Sequence, residues 1–205
     1  MPAYAFDGVV PVVHPTAFVH ETASLIGDVI VGAGCYIGPY ASLRGDFGRI
    51  VVGEGSNVQD SCVIHAFPGA DAVLEPNSHI GHAAVLHGCR IGSYALIGIG
   101  ATVLDGAEVG ADVLVGAGAL ITAGMVVPPG TKALGAPAKV IGPLDEQALA
   151  WKRNGVRIYR QLAQRSRETL EPATPLTDVE PDRRRTNWPV DAATPLHRTG
   201  GRAGR

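Results

Sequence analysis

Four of the seven histidines in this 205-residue chain fall between residues 65 and 87: His65, His79, His82 and His87. Neutral imidazole is the commonest metal ligand in proteins, and three of them around one ion with the fourth position open make the usual catalytic zinc site. Beside them stands a polar cluster, Arg44, Asp46, Asn57, Gln59 and Asp60. In its functional reading, an amide and carboxylates orient a metal-bound water or the ligands themselves. The plainer reading is a set of solvated corners with an interchain salt bridge. Asp60 admits both, whereas Gln59 favours the chemical one. Cysteine is the other ligand to weigh, since Cys and His together build zinc sites. Cys35, Cys62 and Cys89 all fall at the small inward position of the repeat described next, which makes them buried, reduced core residues.

That repeat is what must position the histidines. From Val19 the sequence runs in sixes: Val19, Leu25, Val31, Ile37 and Leu43 are aliphatic, and Ala23, Val29, Cys35, Ala41 and Phe47 follow four residues later. The register then slips by three, resumes at Val52, Val58 and Ile64, and is interrupted across residues 66–78. It returns at Val85, Ile91, Ile97, Val103, Val109, Val115, Ile121 and Val127. A six-residue period is the signature of a parallel β-helix, in which three hexads make one triangular coil around an aliphatic interior. A flat alternating sheet would repeat in twos and an amphipathic helix at 3.6, and neither fits.

The fold class expected is therefore all-β, a parallel β-helix of hexapeptide repeats over residues 19–142, with a cap strand in residues 1–18. After Pro143, Leu144, Leu149, Trp151, Val156, Tyr159, Leu162 and Ala163 fall at helical spacing, so residues 143–170 form a C-terminal α-helical segment starting at Asp145 or Glu146. Asn154-Gly155 is expected to divide it into two helices, and its apolar stripe to pack on the flat outer face of the prism. Residues 171–205, rich in Pro, Asp, Arg, Thr and Gly without a period, read as a mostly flexible tail.

The hexad also tests the histidines against one another. His82 and His87 lie just under one repeat apart, on adjacent sides around a corner, so their side chains diverge. His65 and His87 are separated by about one coil plus a small loop and stack on one side. A shared ion then calls for His65 and His87 of one chain with His82 of a neighbour, and a cyclic trimer of prisms would supply three such sites. His79 falls where an aliphatic core residue belongs and reads as a satisfied, partly buried histidine. Tyr159 is a further candidate from the helical segment.

A formal net charge of -2 offers no basic face, so no nucleic acid and no anionic membrane surface is expected as partner. No secretory segment or membrane span is visible, which makes a cytoplasmic location the expectation.

With these residues in view, the chain resembles the γ-class carbonic anhydrase-like proteins of the hexapeptide-repeat superfamily over roughly residues 10–142. The likeness rests on Leu43-Arg44-Gly45-Asp46, Asn57-Val58-Gln59-Asp60, Val63-Ile64-His65, Ile80-Gly81-His82 and Leu86-His87-Gly88-Cys89. Longer matches through Gly48-Arg49-Ile50-Val51-Val52, His65-Ala66-Phe67-Pro68, Glu146-Gln147-Ala148-Leu149-Ala150-Trp151-Lys152 and Glu180-Pro181 are similar to the phenylacetic acid degradation branch, and less closely to its carnitine-pathway relative. The resemblance implies a left-handed β-helix, a homotrimer, and zinc or another divalent ion such as iron or cobalt on His65, His82 and His87. It implies that Gln59 orients a metal-bound hydroxide and that Arg44 and Asp46 form an interface pair.

It also implies a reaction, hydrolysis of coenzyme A thioesters of ring-derived intermediates in phenylacetate catabolism by a metal-activated water. Two departures tilt against the runner-up, carbon dioxide hydration: Phe47 stands where the archetype has a glutamate, and residues 66–78 lack its proton-shuttle glutamate. The further alternatives are acyl transfer from coenzyme A, for which Gly135-Ala136-Pro137-Ala138-Lys139 resembles a segment of hexapeptide acyltransferases, and a non-catalytic trimeric scaffold.

Overall fold

The computed structural model describes residues 3–188, so the expectation for the rest of the tail, 189–205, lies outside the described residues. Short strands wind into a parallel β-helix with three flat faces. One face stacks Phe18–Val19, Tyr36–Ile37, Asn57–Val58, His79–Ile80, Leu96–Ile97, Leu114–Val115 and Thr131–Leu134, and ends on the antiparallel strand Lys139–Pro143. The other two faces merge into one 12-stranded sheet, because the long strands Ser24–Val31 and Ser42–Val52 continue round a corner. Every other ladder between described strands is parallel.

The interior is a stack of large aliphatics over small residues. Leu25, Ile37, Leu43, Val58, Ile64, Ile97, Val103, Val115 and Ile121 are buried, as are Ala23, Cys35, Ala41, Cys62, Cys89, Ala95, Ala101 and Ala107. A prism this narrow admits one large side chain per short strand and a smaller one, mostly alanine or cysteine, beside each turn, which is why the hexad alternates as it does.

Coil length is regular except where the hexad falters. Leu96 pairs with Leu114 and Thr102 with Leu120, each one 18-residue coil apart. In the strand Ser42–Val52 the register against Ser24–Val31 shifts from Gly27↔Gly45 to Val29↔Ile50, which inserts three residues as a bulge. The coil above is longer still, with Asn57 paired to His79 and His65 to His87. Two inward assignments are corrected as a result. Phe47 rides on the bulge and is 56% exposed, and Val85 is 38% exposed while its neighbour Leu86 fills the interior opposite Ile64. His79 likewise leaves the aliphatic place to Ile80 and points from the outer face.

The C-terminal segment is one helix, Glu146–Thr169, rather than two. Asp145 caps it by accepting from the Ala148 amide at 2.7 Å. Gly155 does not break it, because glycine is what lets the helix sit against the face: a Cβ there would meet His79 Cε1 at 3.3 Å. Asn154 instead accepts two bonds from Arg157, at 3.0 and 2.7 Å. The helix buries Ala148, Lys152, Val156 and Ala163 against the face that carries Phe18, Tyr36 and Asn57. Lys152 reaches the Tyr94 carbonyl at 2.7 Å and Arg153 pairs with Asp112 at 2.8 Å, which fixes the first half of the helix to the corners.

Candidate functional site

His65 and His87 occupy paired positions on neighbouring strands, Val63–His65 and Val85–His87. Their rings meet nitrogen to nitrogen, His65 Nδ1 to His87 Nε2 at 3.0 Å. The far nitrogen of each ring faces a carboxylate: His65 Nε2 lies 2.9 Å from Asp46 Oδ1, and His87 Nδ1 lies 2.5 Å from Asp105 Oδ1. Arg44 closes the array by donating to Asp46 at 2.6 Å. Burial pushes the Asp46 carboxyl up, but the hydrogen bonds from Arg44 and His65 outweigh it and hold the carboxyl below its usual range.

Local sequence breaks build this arrangement. The bulge lifts Asp46 and Phe47 toward the ring pair, and Phe47 packs 5.4 Å from His65. The loop that lengthens the next coil brings Phe67 edge-on to His87 at 4.7 Å. Gly88 follows His87 at φ +50, and a Cβ there would lie 2.6 Å from Asp105 Oδ1, so only glycine lets that carboxylate approach the imidazole.

The second group lies at the corner after the helix-covered face. His82 Nδ1 is 2.8 Å from Asp60 Oδ2, with both side chains over 40% exposed. Next to it, Gln59 Nε2 donates to Asn57 Oδ1 at 3.0 Å and contacts His79 Nε2 at 2.8 Å. His79 is held neutral, its pKa lowered to about 4 by burial first and then by His82 and Lys152. Tyr159 stands edge-on to His79 at 5.2 Å and to Tyr36 at 5.5 Å, and burial raises its phenol well above the ordinary value.

The expected residues thus divide in two. Arg44, Asp46, His65 and His87 come together; Asn57, Gln59, Asp60 and His82 gather at another corner. Among the described residues of one chain, no three His, Cys, Asp or Glu side chains form a metal-binding group. Asp105 was not singled out from the sequence. Its signal was there, since it follows His87 by one 18-residue coil and so stacks on the next rung.

The donor chemistry fits a cation. In the tautomers that place the hydrogen on both far nitrogens, toward the carboxylates, the facing nitrogens carry lone pairs, and at 3.0 Å two lone pairs repel. An ion or a shared proton between them removes the conflict, and carboxylate-backed imidazoles are what metal sites use to fix ring orientation.

Residues 88–123 match the family model for bacterial transferase hexapeptide proteins (six repeats). The carnitine operon protein CaiE of Citrobacter koseri is 51% identical over 185 residues, covering 90% of this chain and 94% of that protein. The chain belongs to the CaiE family. The Salmonella newport member is 48% identical over 191 residues, 93% of this chain and 96% of its own. Among solved structures, a Bacillus cereus protein described as a "putative acetyltransferase" superposes with TM-score 0.80 at 35% identity, over 81% of this chain and 96% of its own. A hexapeptide transferase family protein from Anaplasma phagocytophilum gives 0.77 at 35% identity, over 80% and 96%.

CaiE membership corrects the functional expectation. These relatives carry the name of the carnitine operon, which reverses the order in which the longer motifs ranked the phenylacetic acid and carnitine branches. Nothing in them points to a metal-dependent thioesterase of phenylacetate catabolism, or to the carbonic anhydrase runner-up. No helix among the described residues is long and apolar enough to cross a membrane.

Proposed function

We propose that this chain is a metal-binding transferase of carnitine metabolism that moves acyl groups carried as coenzyme A thioesters. The observation that carries the site is the facing imidazole pair with a carboxylate behind each ring. The carnitine assignment leans on the names of the CaiE relatives, and acyl transfer on the acetyltransferase description of the Bacillus cereus protein together with the Gly135–Lys139 segment.

His65 and His87 of one subunit and His82 of another would hold zinc, or another divalent ion such as iron or cobalt, each ring oriented by its own aspartate. Phe47, Val63, Phe67 and Val85 are exposed around the pair, an apolar surround suited to cover by a second copy, and a homotrimer completes three sites. When bound, the ion supplies Lewis acidity toward an acyl carbonyl oxygen. Gln59, whose Nε2 is committed inward to Asn57 and His79, keeps Oε1 as the acceptor that orients an attacking hydroxyl; the neighbouring Asp60 carboxylate takes the hydroxyl proton and returns it to the coenzyme A thiolate that departs as the C–S bond breaks and the ester forms.

The test is release of free coenzyme A thiol from acetyl-coenzyme A, with and without carnitine as hydroxyl acceptor, by the wild type and by His87→Ala. Release that requires carnitine and vanishes in the variant is expected. Acceptor-independent release, or none with carnitine present, would overturn transfer. Equal zinc content in wild type and His87→Ala would overturn the metal assignment.

A further inference from the structure

The basic residues of the chain are unevenly placed. The helix Glu146–Thr169 carries six cations, Lys152 and five arginines, against Glu146 and Glu168, which makes it +4 in a chain of formal net charge -2. Four of those arginines line one groove of about 580 Å³ between the helix and the row of corners that includes Asn77 and Tyr94. That volume lies in the range of small-molecule sites. Asn77 and His82 flank opposite ends of the strand His79–Ile80, so the groove lies along the far edge of that face from His82.

The cations at the head of the groove are occupied in holding the helix, Lys152 on Tyr94 and Arg153 on Asp112. Those further along are held more loosely. Among the described residues, Arg157 donates to the Asn154 amide oxygen, Arg167 to the Thr16 carbonyl at 3.4 Å, and Arg160 makes a long ion pair with Glu54 at 3.6 Å. Among the described residues no carboxylate pairs with Arg157 or Arg167. On the opposite wall Asn77 Oδ1 is buried without a donor. It lies beside Arg160, since a Cβ on Gly55 would meet that oxygen at 2.6 Å and Arg160 Cδ at 3.2 Å.

A guanidinium is a planar fork matched to phosphate oxygens, and three forks along one wall suit a ligand bearing more than one phosphate. We propose that this groove binds a small polyphosphorylated molecule of the nucleoside diphosphate kind. Arg157, Arg160 and Arg167 take the phosphates, and Asn77 Oδ1 accepts a hydrogen bond from a hydroxyl or amine on the rest of the ligand.

Calorimetric titration of the full chain with ADP, and separately with pyrophosphate, tests this beside the variant Arg157→Gln/Arg160→Gln. Both positions are exposed, so the variant keeps the fold, which its thermal melt verifies. ADP is expected to bind, more weakly as salt rises, and about tenfold or more weakly in the variant. Pyrophosphate binding as tightly as ADP would support the arginine cradle and overturn the part given to Asn77. No heat with either ligand, or equal affinity in the variant, would overturn the proposal.

Discussion

Raising the pH should loosen this protein through its buried thiols, of which Cys35 and Cys62 can be tested as a pair. Burial raises the pKa of Cys35 and of Cys62 from 9.0 to about 11, with Glu54 near the first and Asp60 near the second adding to the effect. A raised folded pKa means that the folded state holds a proton the unfolded chain has released, so stability is complete below pH 9 and falls as pH climbs toward 11. At pH 10 each thiol takes away about 1.4 kcal/mol, about 3 kcal/mol for the pair. Lys152 works the other way. Burial lowers its pKa from 10.5 to about 8 despite Asp112, so the unfolded chain binds the extra proton and stability rises from pH 8 to 10.5. That rise, about 2.5 kcal/mol by pH 10, masks part of the loss in the wild type, to which Cys89, pushed up from 9.0 to about 12, adds about 1.4 kcal/mol. The thiols are therefore isolated by comparison with Cys35→Ala/Cys62→Ala, a fitting substitution because alanine fills the same interior place at Ala23, Ala41 and Ala101. Urea unfolding followed by circular dichroism at pH 7 and pH 10 should show the variant gaining about 3 kcal/mol on the wild type. A change under 1 kcal/mol would refute the reasoning.

Three further outcomes are expected. Asp105→Asn should weaken divalent-ion binding about 10- to 100-fold in competition with a chelating dye, because His87 loses the partner that fixes its ring; unchanged affinity would count against the site. Leu86→Ala should cost about 2–5 kcal/mol in chemical unfolding and Val85→Ala less than about 1, since only the first lines the interior, and the reverse order would show the register to be wrong. Lys152→Met should steepen the loss of stability between pH 8 and 10 by about 2 kcal/mol, because it removes the group that sheds its proton in that window and offsets the thiols; an unchanged slope would assign the offset elsewhere.

The fold was legible because a six-residue period leaves little freedom. Each inward place accepts one aliphatic or one small residue, and the spacing names them. What the period could not resolve were its own interruptions. The bulge at Asp46–Gly48 and the loop after His65 turned Phe47 outward and moved the interior place from Val85 to Leu86, shifts of one residue that only the strand pairing decides. Those interruptions also carry the site, because residues freed from the prism's packing are the ones available to point at a ligand. Stacking by coil length brought His65 onto His87, and the same rule applied upward would have found Asp105. Gly155 misled because a glycine inside a helix signals either an end or a close approach, and its neighbour His79 sits in another coil. Which reaction the chain serves was beyond the repeat altogether, since the carnitine and phenylacetic acid branches share its motifs.

The helix that runs back along the prism also changes how the molecule should come apart. A solenoid by itself is a one-dimensional stack, each coil held only by its neighbours, and it frays from either end. Here Arg153 is tied to Asp112 in an upper coil and Arg167 reaches Thr16 in the first. Fourteen helical residues span about 21 Å, close to the roughly 24 Å of the five strand spacings between those coils. The helix is thus a splint matched to the length of the stack. It converts serial unzipping into a single cooperative transition, and an extra coil inserted between its two anchors would leave it too short to tie both.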